Sequence, residues 1–167
     1  MKYVGIWLIV GAGMGLGQFY SRRLYRRARR LQEIVRLLEA LVQRLTYTAL
    51  PLTQLWRQLA EGEAFRDVPL VQVTAARLEE RPFFEAYTAG VDSMAGDGLT
   101  AADRQLLLEF GEGCGRTGLA EQAAHIRAYQ RLLEQAQQEA QQRAATQGAV
   151  YQMLGLAGGV ALALLLL

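Results

Sequence analysis

The stretch YVGIWLIVGAGMGLGQFYSRRLYRRARR, residues 3–30, decides how the rest of the chain is interpreted. Its first 18 residues carry no charge, and as a helix they would span about 27 Å, close to the thickness of a bilayer core. Six arginines follow with no acid among them: Arg22, Arg23, Arg26, Arg27, Arg29 and Arg30. Such a cluster resists translocation and marks the cytoplasmic side of a membrane helix. We therefore predict a transmembrane helix over 3–20 and arginines that fix its orientation and touch anionic headgroups.

The other end of the chain repeats the pattern. VYQMLGLAGGVALALLLL, residues 150–167, is also free of charge. Its leucines would lose about 1.5 to 3 kcal/mol each if they were left in water. We predict a second transmembrane helix over 149–167, so that both chain ends face outward and the intervening domain faces the cytoplasm.

A cleaved signal peptide is the alternative for the first run, because Lys2 precedes it and Val10-Gly11-Ala12 offers small residues. The arginine cluster directly behind the run argues against export.

The glycines of the two runs are spaced for helix packing. The match of GAGMGLG to a dinucleotide-binding loop fails, because the third glycine of that motif is replaced by Leu16. Glycines four residues apart instead leave helical faces that another membrane helix can approach. We expect such faces, which meet each other or a partner, at Gly11, Gly13, Gly15, Gly17, Gly155 and Gly159. A lipid-facing helix that merely tolerates glycine is the alternative.

The charge balance excludes a nucleic-acid binder. The chain has a formal net charge of +2, but residues 31–148 hold 11 basic and 16 acidic residues, a net charge of −5. A surface that binds DNA or RNA needs the opposite sign.

The middle of the chain predicts helices only. Apolar residues at alternating steps of three and four form one stripe: Leu24, Ala28, Leu31, Val35, Leu38, Val42, Leu45, Ala49 and Leu52. We predict helix boundaries at Pro51, Pro69, Pro82 and the Ala95–Gly98 turn, and a cap formed by Thr100 with Asp103. The predicted fold class is all-α, a helical bundle domain over 21–148 between the two transmembrane helices. Residues 119–148 are predicted to be a solvated helical stalk, with a disordered linker as the alternative.

The pattern of residues between 98 and 133 resembles that of stage III sporulation protein AB, a protein family found in endospore-forming bacteria. The resemblance is carried mainly by Gly98, Leu99, Asp103, Leu107, Phe110, Gly111, Gly115 and Gln122, set between an Arg-rich N-terminal run and a C-terminal apolar run. The chain departs from the family pattern at Cys114-Gly115-Arg116-Thr117-Gly118, where an acid would usually cap the next helix. Thr117 or Gly118 can take that place.

The resemblance implies a non-enzymatic scaffold of the channel that links mother cell and forespore, in the mother-cell-derived membrane around the forespore. The family is considered distantly similar to platform proteins of type II secretion and type IV pilus machines. Expected partners are the membrane, other subunits of the channel including a secretion-type ATPase, and further copies of the chain. The alternative is a platform or adaptor subunit of another secretion or pilus-like system.

Enzymatic functions lack the necessary residues. Cys114 is the single cysteine and His125 the single histidine, so we expect no disulfide, no Cys/His metal cluster and no cofactor. A hydrolase that uses these two residues as nucleophile and base is the enzymatic alternative.

Overall fold

The computed structural model describes the backbone of residues 2–48, 50–115 and 118–165. It describes side chains at residues 22, 24–48, 50–115, 118–147, 150, 153 and 157. Within these ranges the chain is helical and contains no strand, which confirms the all-α prediction. The helices are α1 (Lys2–Thr48), α2 (Leu52–Glu61), α3 (Pro69–Arg77), α4 (Phe83–Ser93), α5 (Ala101–Gly113) and α6 (Leu119–Leu165), with a short 3₁₀ turn at Glu63–Phe65.

Each predicted boundary in the middle of the chain is a helix boundary in the structure. Pro51 directly precedes α2, Pro69 is the first residue of α3, and Pro82 directly precedes α4. Proline is tolerated in the first turn of a helix because the N–H it lacks would have no partner there. Gly118 begins α6 as a cap, since its carbonyl accepts the Gln122 N–H at 2.9 Å.

Contacts divide the chain into two compact units. One unit is Arg30–Ala136, and the other combines Met1–Arg29 with Gln137–Leu167. In the first unit α3 packs against both α2 and α4, and α4 packs against α5.

The apolar stripe of α1 supplies much of the core of the Arg30–Ala136 unit. Six side chains of the predicted stripe are buried, namely Ala28 in the other unit and Leu31, Leu38, Val42, Leu45 and, at the start of α2, Leu52 in this one. Val35 and Leu24 are only half-buried, and Ala49 lies outside the described residues. The buried face is wider than predicted because it also includes Ile34, Leu37 and Leu41. Each fully buried aliphatic side chain stabilises the fold by about 1.5 to 3 kcal/mol.

The predicted stalk, residues 119–148, lies within α6 and is helical in the structure. It is not solvated all round, however. Ala140 and Ala144 are only 2% and 0% exposed, and both belong to the unit that contains Met1–Arg29. Alanine has no side-chain atoms beyond Cβ, so it can be buried on a helix whose other positions are glutamine, glutamate and arginine.

Among the described residues, no helix is both long and apolar enough to cross a membrane. The two predicted spans, 3–20 and 149–167, fall almost wholly on residues whose side chains lie outside the description. The packing glycines of those spans, Gly11, Gly13, Gly15, Gly17, Gly155 and Gly159, lie there too. The backbone at all six glycines is helical, and α1 runs without a break from the first predicted span into the core stripe.

Helices α3 and α4 pack tightly against each other at Gly90. A Cβ atom placed there would lie 2.7 Å from the Leu70 carbonyl oxygen and would also overlap the Thr74 hydroxyl. The Thr74 hydroxyl is fully buried and donates to the same carbonyl at 2.6 Å. Neither group can move without losing that hydrogen bond.

We therefore expect Gly90→Ala to lower the free energy of unfolding by about 1 to 3 kcal/mol through overpacking. This should occur although alanine is the better helix former by about 1 kcal/mol. Gly62→Ala is the control, because a Cβ there meets its nearest atom at 3.4 Å. Chemical denaturation of the full chain measures both. An unchanged Gly90→Ala midpoint would contradict the close approach.

Candidate functional site

The residues that carry the family resemblance begin at the turn between α4 and α5. Gly96 and Gly98 have φ angles of 101° and 91°, which side-chain-bearing residues rarely adopt. Thr100 then caps α5: its hydroxyl accepts the Asp103 N–H at 3.2 Å, and the Asp103 carboxylate accepts the Thr100 N–H at 2.8 Å. The predicted cap is confirmed, and aspartate performs the role in spite of its short side chain. Asp103 is almost fully buried in doing so.

Arg30 joins this turn to α1. Its Nε lies 2.8 Å from the Asp97 carboxylate, and its Nη1 lies 2.7 Å from Glu33. The same Nη1 donates to the Asp67 carbonyl at 3.4 Å. Partial burial alone would lower the pKa of Arg30, but the hydrogen bonds and charges of Glu33 and Asp97 raise it overall. Arg30, one of the six arginines expected at the membrane surface, is thus held by acids of its own unit.

A row of aromatic rings connects the four helices α2, α4, α5 and α6. Neighbouring ring centroids in this row lie 4.8 to 6.0 Å apart, within the range of favourable aromatic contacts. The row consists of Trp56, Phe83, Tyr87, Phe110, His125 and Tyr129. Phe110, which belongs to the family resemblance, lies in its middle, and Leu107 is buried one turn earlier.

Two glycines of α5 make room for the row. A Cβ at Gly111 would overlap the Tyr87 ring, and a Cβ at Gly113 would overlap the His125 ring. Gly111 is therefore required for α5 to approach Tyr87. Gly115 serves a different purpose: its φ of 80° follows the end of α5 and redirects the chain.

Gln122 lies at the start of α6 and is 6% exposed. Within the described part of the chain its side-chain Nε2 has no hydrogen-bond partner, and the same holds for Nε1 of Trp56. Thus seven of the eight residues in the resemblance have a structural role in a turn, a cap or the core. Leu99 is half-buried within the turn.

The two candidate catalytic residues are used for packing. Cys114 is buried, and burial raises the pKa of its thiol to about 12. The thiol stays protonated at neutral pH, whereas a nucleophilic cysteine needs a lowered pKa. His125 stacks on Phe110 and lies 3.0 Å from the Phe110 carbonyl through Nε2. No group of three or more histidine, cysteine, aspartate or glutamate side chains among the described residues could hold a metal ion.

The other described arginines of the cluster lie on α1 before Arg30. Arg22, Tyr25, Arg26 and Arg29 line one open groove of about 570 Å³. Arg22, Arg26 and Arg29 are exposed, and Arg27 is half-buried. Arg23 lies outside the described residues.

Sequence reasoning missed three features of this arrangement. The partner Asp97 of Arg30 lies 67 residues away along the chain, and no local pattern indicates it. The same holds for the aromatic row, whose members come from four helices. The third feature, the buried face of α6, could have been predicted from the sequence. Ala136, Ala140 and Ala144 are spaced four residues apart, which puts them on one face of a helix.

Together these features define an all-helical protein with a packed apolar and aromatic core among the described residues. The chain belongs to the stage III sporulation protein AB family, whose model matches residues 2–167. This confirms the resemblance inferred from residues 98–133 and shows a sporulation-related protein. No curated protein and no solved structure gives a significant match to the chain.

The burial of Cys114 makes its reactivity predictable. At neutral pH we expect a maleimide or disulfide reagent to modify native Cys114 at least about a hundredfold more slowly than an ordinary thiol of pKa about 8.5. Because the folded-state pKa is about 12, the rate should keep rising above pH 9 for as long as the fold persists. The control is Ala102→Cys in a Cys114→Ala background, since Ala102 is exposed on α5. Equal rates for the two cysteines would contradict the buried thiol.

Proposed function

We propose that the chain is a non-enzymatic membrane scaffold subunit of the sporulation channel complex that links mother cell and forespore. The observation that carries the proposal is the family match, which extends over both uncharged ends and the domain between them. Two membrane helices, over 3–20 and 149–167, anchor the scaffold in the mother-cell-derived membrane around the forespore. The domain lies in the mother-cell cytoplasm and is needed for spore formation.

The orientation is supported by the distribution of charge. The unit that contains both chain ends has seven basic residues and one acid, a net charge of +6. The Arg30–Ala136 unit has 11 basic and 15 acidic residues, a net charge of −4. Positive residues beside an apolar run stay on the cytoplasmic side of a membrane. The distribution of charge thus supports an arrangement in which the arginine cluster and the acidic domain share the cytoplasmic side.

A scaffold role is also supported by how the domain uses its residues. Its single cysteine is protonated at neutral pH and its single histidine is stacked within the aromatic row. The Arg30–Ala136 unit instead offers partners a chain segment of net negative charge folded around a packed core. We propose that the partners that dock on it are other channel subunits, including a secretion-type ATPase in the mother-cell cytoplasm.

The test is spore formation in the organism that encodes the chain, after deletion of its own copy. The full chain should restore heat-resistant spores, and a chain that ends at Gly148 should restore none, because it lacks the second membrane helix. Cys114→Ala and His125→Phe should both restore spores. The first substitution removes the thiol from a small buried site, and the second keeps a ring that can stack.

Each variant must be present at the level of the full chain, as measured by immunoblot. Loss of spores with either Cys114→Ala or His125→Phe at normal protein level would favour the enzymatic alternative. Restoration of spores by the chain that ends at Gly148 would contradict a scaffold anchored at both ends.

A further inference from the structure

The helices of the Arg30–Ala136 unit alternate in direction. In the first turn of α3, Gln72 donates to the Ala60 carbonyl at the end of α2, with 3.0 Å between Nε2 and the oxygen. Gly90, near the end of α4, lies against Leu70 at the start of α3. Helix α3 is therefore antiparallel to both α2 and α4.

Helices α4 and α5 are related in the same way. Arg104, in the first turn of α5, forms an ion pair with Asp92 at the end of α4. Gly111, near the end of α5, lies against the ring of Tyr87 in the first half of α4. The end of α5 therefore lies beside the start of α4.

This alternation places the turns between helices at two opposite ends of the unit. At the near end, where α1 enters the unit, Arg30 contacts the Asp67 carbonyl and the Asp97 carboxylate, which belong to the turns before α3 and α5. The far end contains the other three turns, from α1 to α2, from α3 to α4 and from α5 to α6. Along α1 the two ends are about 27 Å apart, because a helix rises 1.5 Å per residue.

Exposed apolar side chains gather at the far end. Among the described residues of the unit, the exposed large apolar side chains are Tyr47, Phe84, Leu119 and Leu132. The first three lie one at each far-end turn, in the last turn of α1, the first turn of α4 and the first residue of α6. Tyr47 is 87% exposed, so almost its whole ring is open to solvent. Clustered exposed apolar side chains mark surfaces that bind other molecules, and aromatic residues are enriched at protein interfaces.

Two turns of the far end carry opposite charges. No acid occurs from residue 40 to residue 60, and residues 45–55 carry no charge at all. Arg44 and Arg57 border this uncharged run, so the turn from α1 to α2 is basic. Residues 78–85, at the turn from α3 to α4, contain three glutamates and one arginine, a net charge of −2. The far end thus combines apolar side chains with charges of both signs.

We propose that the far end, with Tyr47, Phe84 and Leu119 at its three turns, is the docking surface for a cytoplasmic protein. The partner offers apolar pockets for these side chains, acidic groups opposite the turn from α1 to α2, and basic groups opposite the turn from α3 to α4. A protein surface can supply this combination, because it carries apolar groups and charges of both signs. The inference rests on the proposed function, which gives the unit cytoplasmic partners, and it adds the surface that they bind.

A bilayer and a second copy of the chain fit this surface less well. Helix α1 enters the unit from the proposed membrane helix at the near end, not the far end. The acidic turn at residues 78–85 would also repel anionic headgroups. A second copy carries the same net charge of −4 on its own Arg30–Ala136 unit, so the two units would repel each other.

Photo-crosslinking in sporulating cells tests the surface with the full chain. The photo-reactive residue p-benzoylphenylalanine replaces Tyr47, Phe84 or Leu119 in parallel strains. The matched control carries it in place of Leu132, which is exposed on α6 outside the far end. The three far-end positions should give an adduct with one and the same protein, different from the chain itself. Position 132 should not give that adduct.

Further substitutions show whether the adduct depends on the proposed surface. Adding Phe84→Ser/Leu119→Ser should lower the adduct from position 47 at least about tenfold, because truncation of central interface side chains strongly weakens binding. Leu132→Ser is the control and should change it by less than about twofold.

A second pair of variants tests the charges of the surface. Arg44→Glu/Arg57→Glu should also lower the adduct from position 47, because it places acids opposite the acidic groups of the partner. Arg127→Glu/Arg131→Glu, an exposed pair on α6, makes the same charge change and should not lower it. Normal protein level by immunoblot and slow maleimide labelling of Cys114 show that each variant is folded.

Several results would overturn the docking surface. These are an adduct with lipid, an adduct with a differently tagged second copy of the chain, an adduct that persists in the Phe84→Ser/Leu119→Ser variant, and no adduct from any far-end position. Spore formation by the same strains separates this proposal from the proposed function. If the crosslinker-bearing chains restore heat-resistant spores without such an adduct, the docking surface fails and the scaffold proposal stands. If the chain that ends at Gly148 restores spores, the anchored scaffold fails whatever the adducts are.

Discussion

The continuity of the two terminal helices is the constraint on which the rest of this structure depends. Helix α1 runs from Lys2 to Thr48 and α6 from Leu119 to Leu165, so each end of the chain reaches the domain without a break. A helix satisfies its own backbone hydrogen bonds whatever surrounds it. One helix can therefore pass from one environment to another along its length. The side chains of each part determine whether that part suits lipid, water or a protein core.

Helix α1 illustrates this in the order of its residues. An uncharged run comes first, then the basic cluster, and then the apolar stripe whose buried part extends from Leu31 to Leu45. Arg30 lies at the junction of the last two parts and is bonded to Glu33 and Asp97. Its bonds connect α1 to the turn before α5, where the cap formed by Thr100 and Asp103 sets the start of that helix. The residues that carry the family resemblance thus help to fix the positions of helices within the Arg30–Ala136 unit.

The parts of the fold that the sequence predicts are those governed by local chemistry. Proline ends helices because it lacks an N–H, and Pro51, Pro69 and Pro82 each mark a helix start in the structure. The cap at Thr100 depends on residues three apart, so it is visible in the sequence. In contrast, the close approach at Gly90 depends on the Leu70 carbonyl of another helix, and a glycine within a helix gives no indication of its neighbour.

The candidate site was less predictable for a related reason. The sequence analysis gave all six arginines the same role. A local pattern shows their shared charge, but it does not show which residues each arginine contacts in the folded chain. Folding separates them, since Arg30 finds a carboxylate 67 residues away while Arg22 and Arg26 line a groove. The polar composition of α6 likewise concealed the buried Ala140 and Ala144, because small side chains contribute little to a hydrophobic pattern.

The central claim is that the basic cluster holds the domain in the cytoplasm while the start of α1 crosses the membrane. Cysteine accessibility tests it most directly in non-sporulating bacterial cells that express the chain, because the outer face of their plasma membrane is open to the medium. Single cysteines replace Lys2 and the exposed Glu61 in a Cys114→Ala background. A membrane-impermeant maleimide should label Lys2→Cys in intact cells and Glu61→Cys only after the cells are permeabilised. Labelling of both positions from the same side, or with the sides exchanged, would contradict the account.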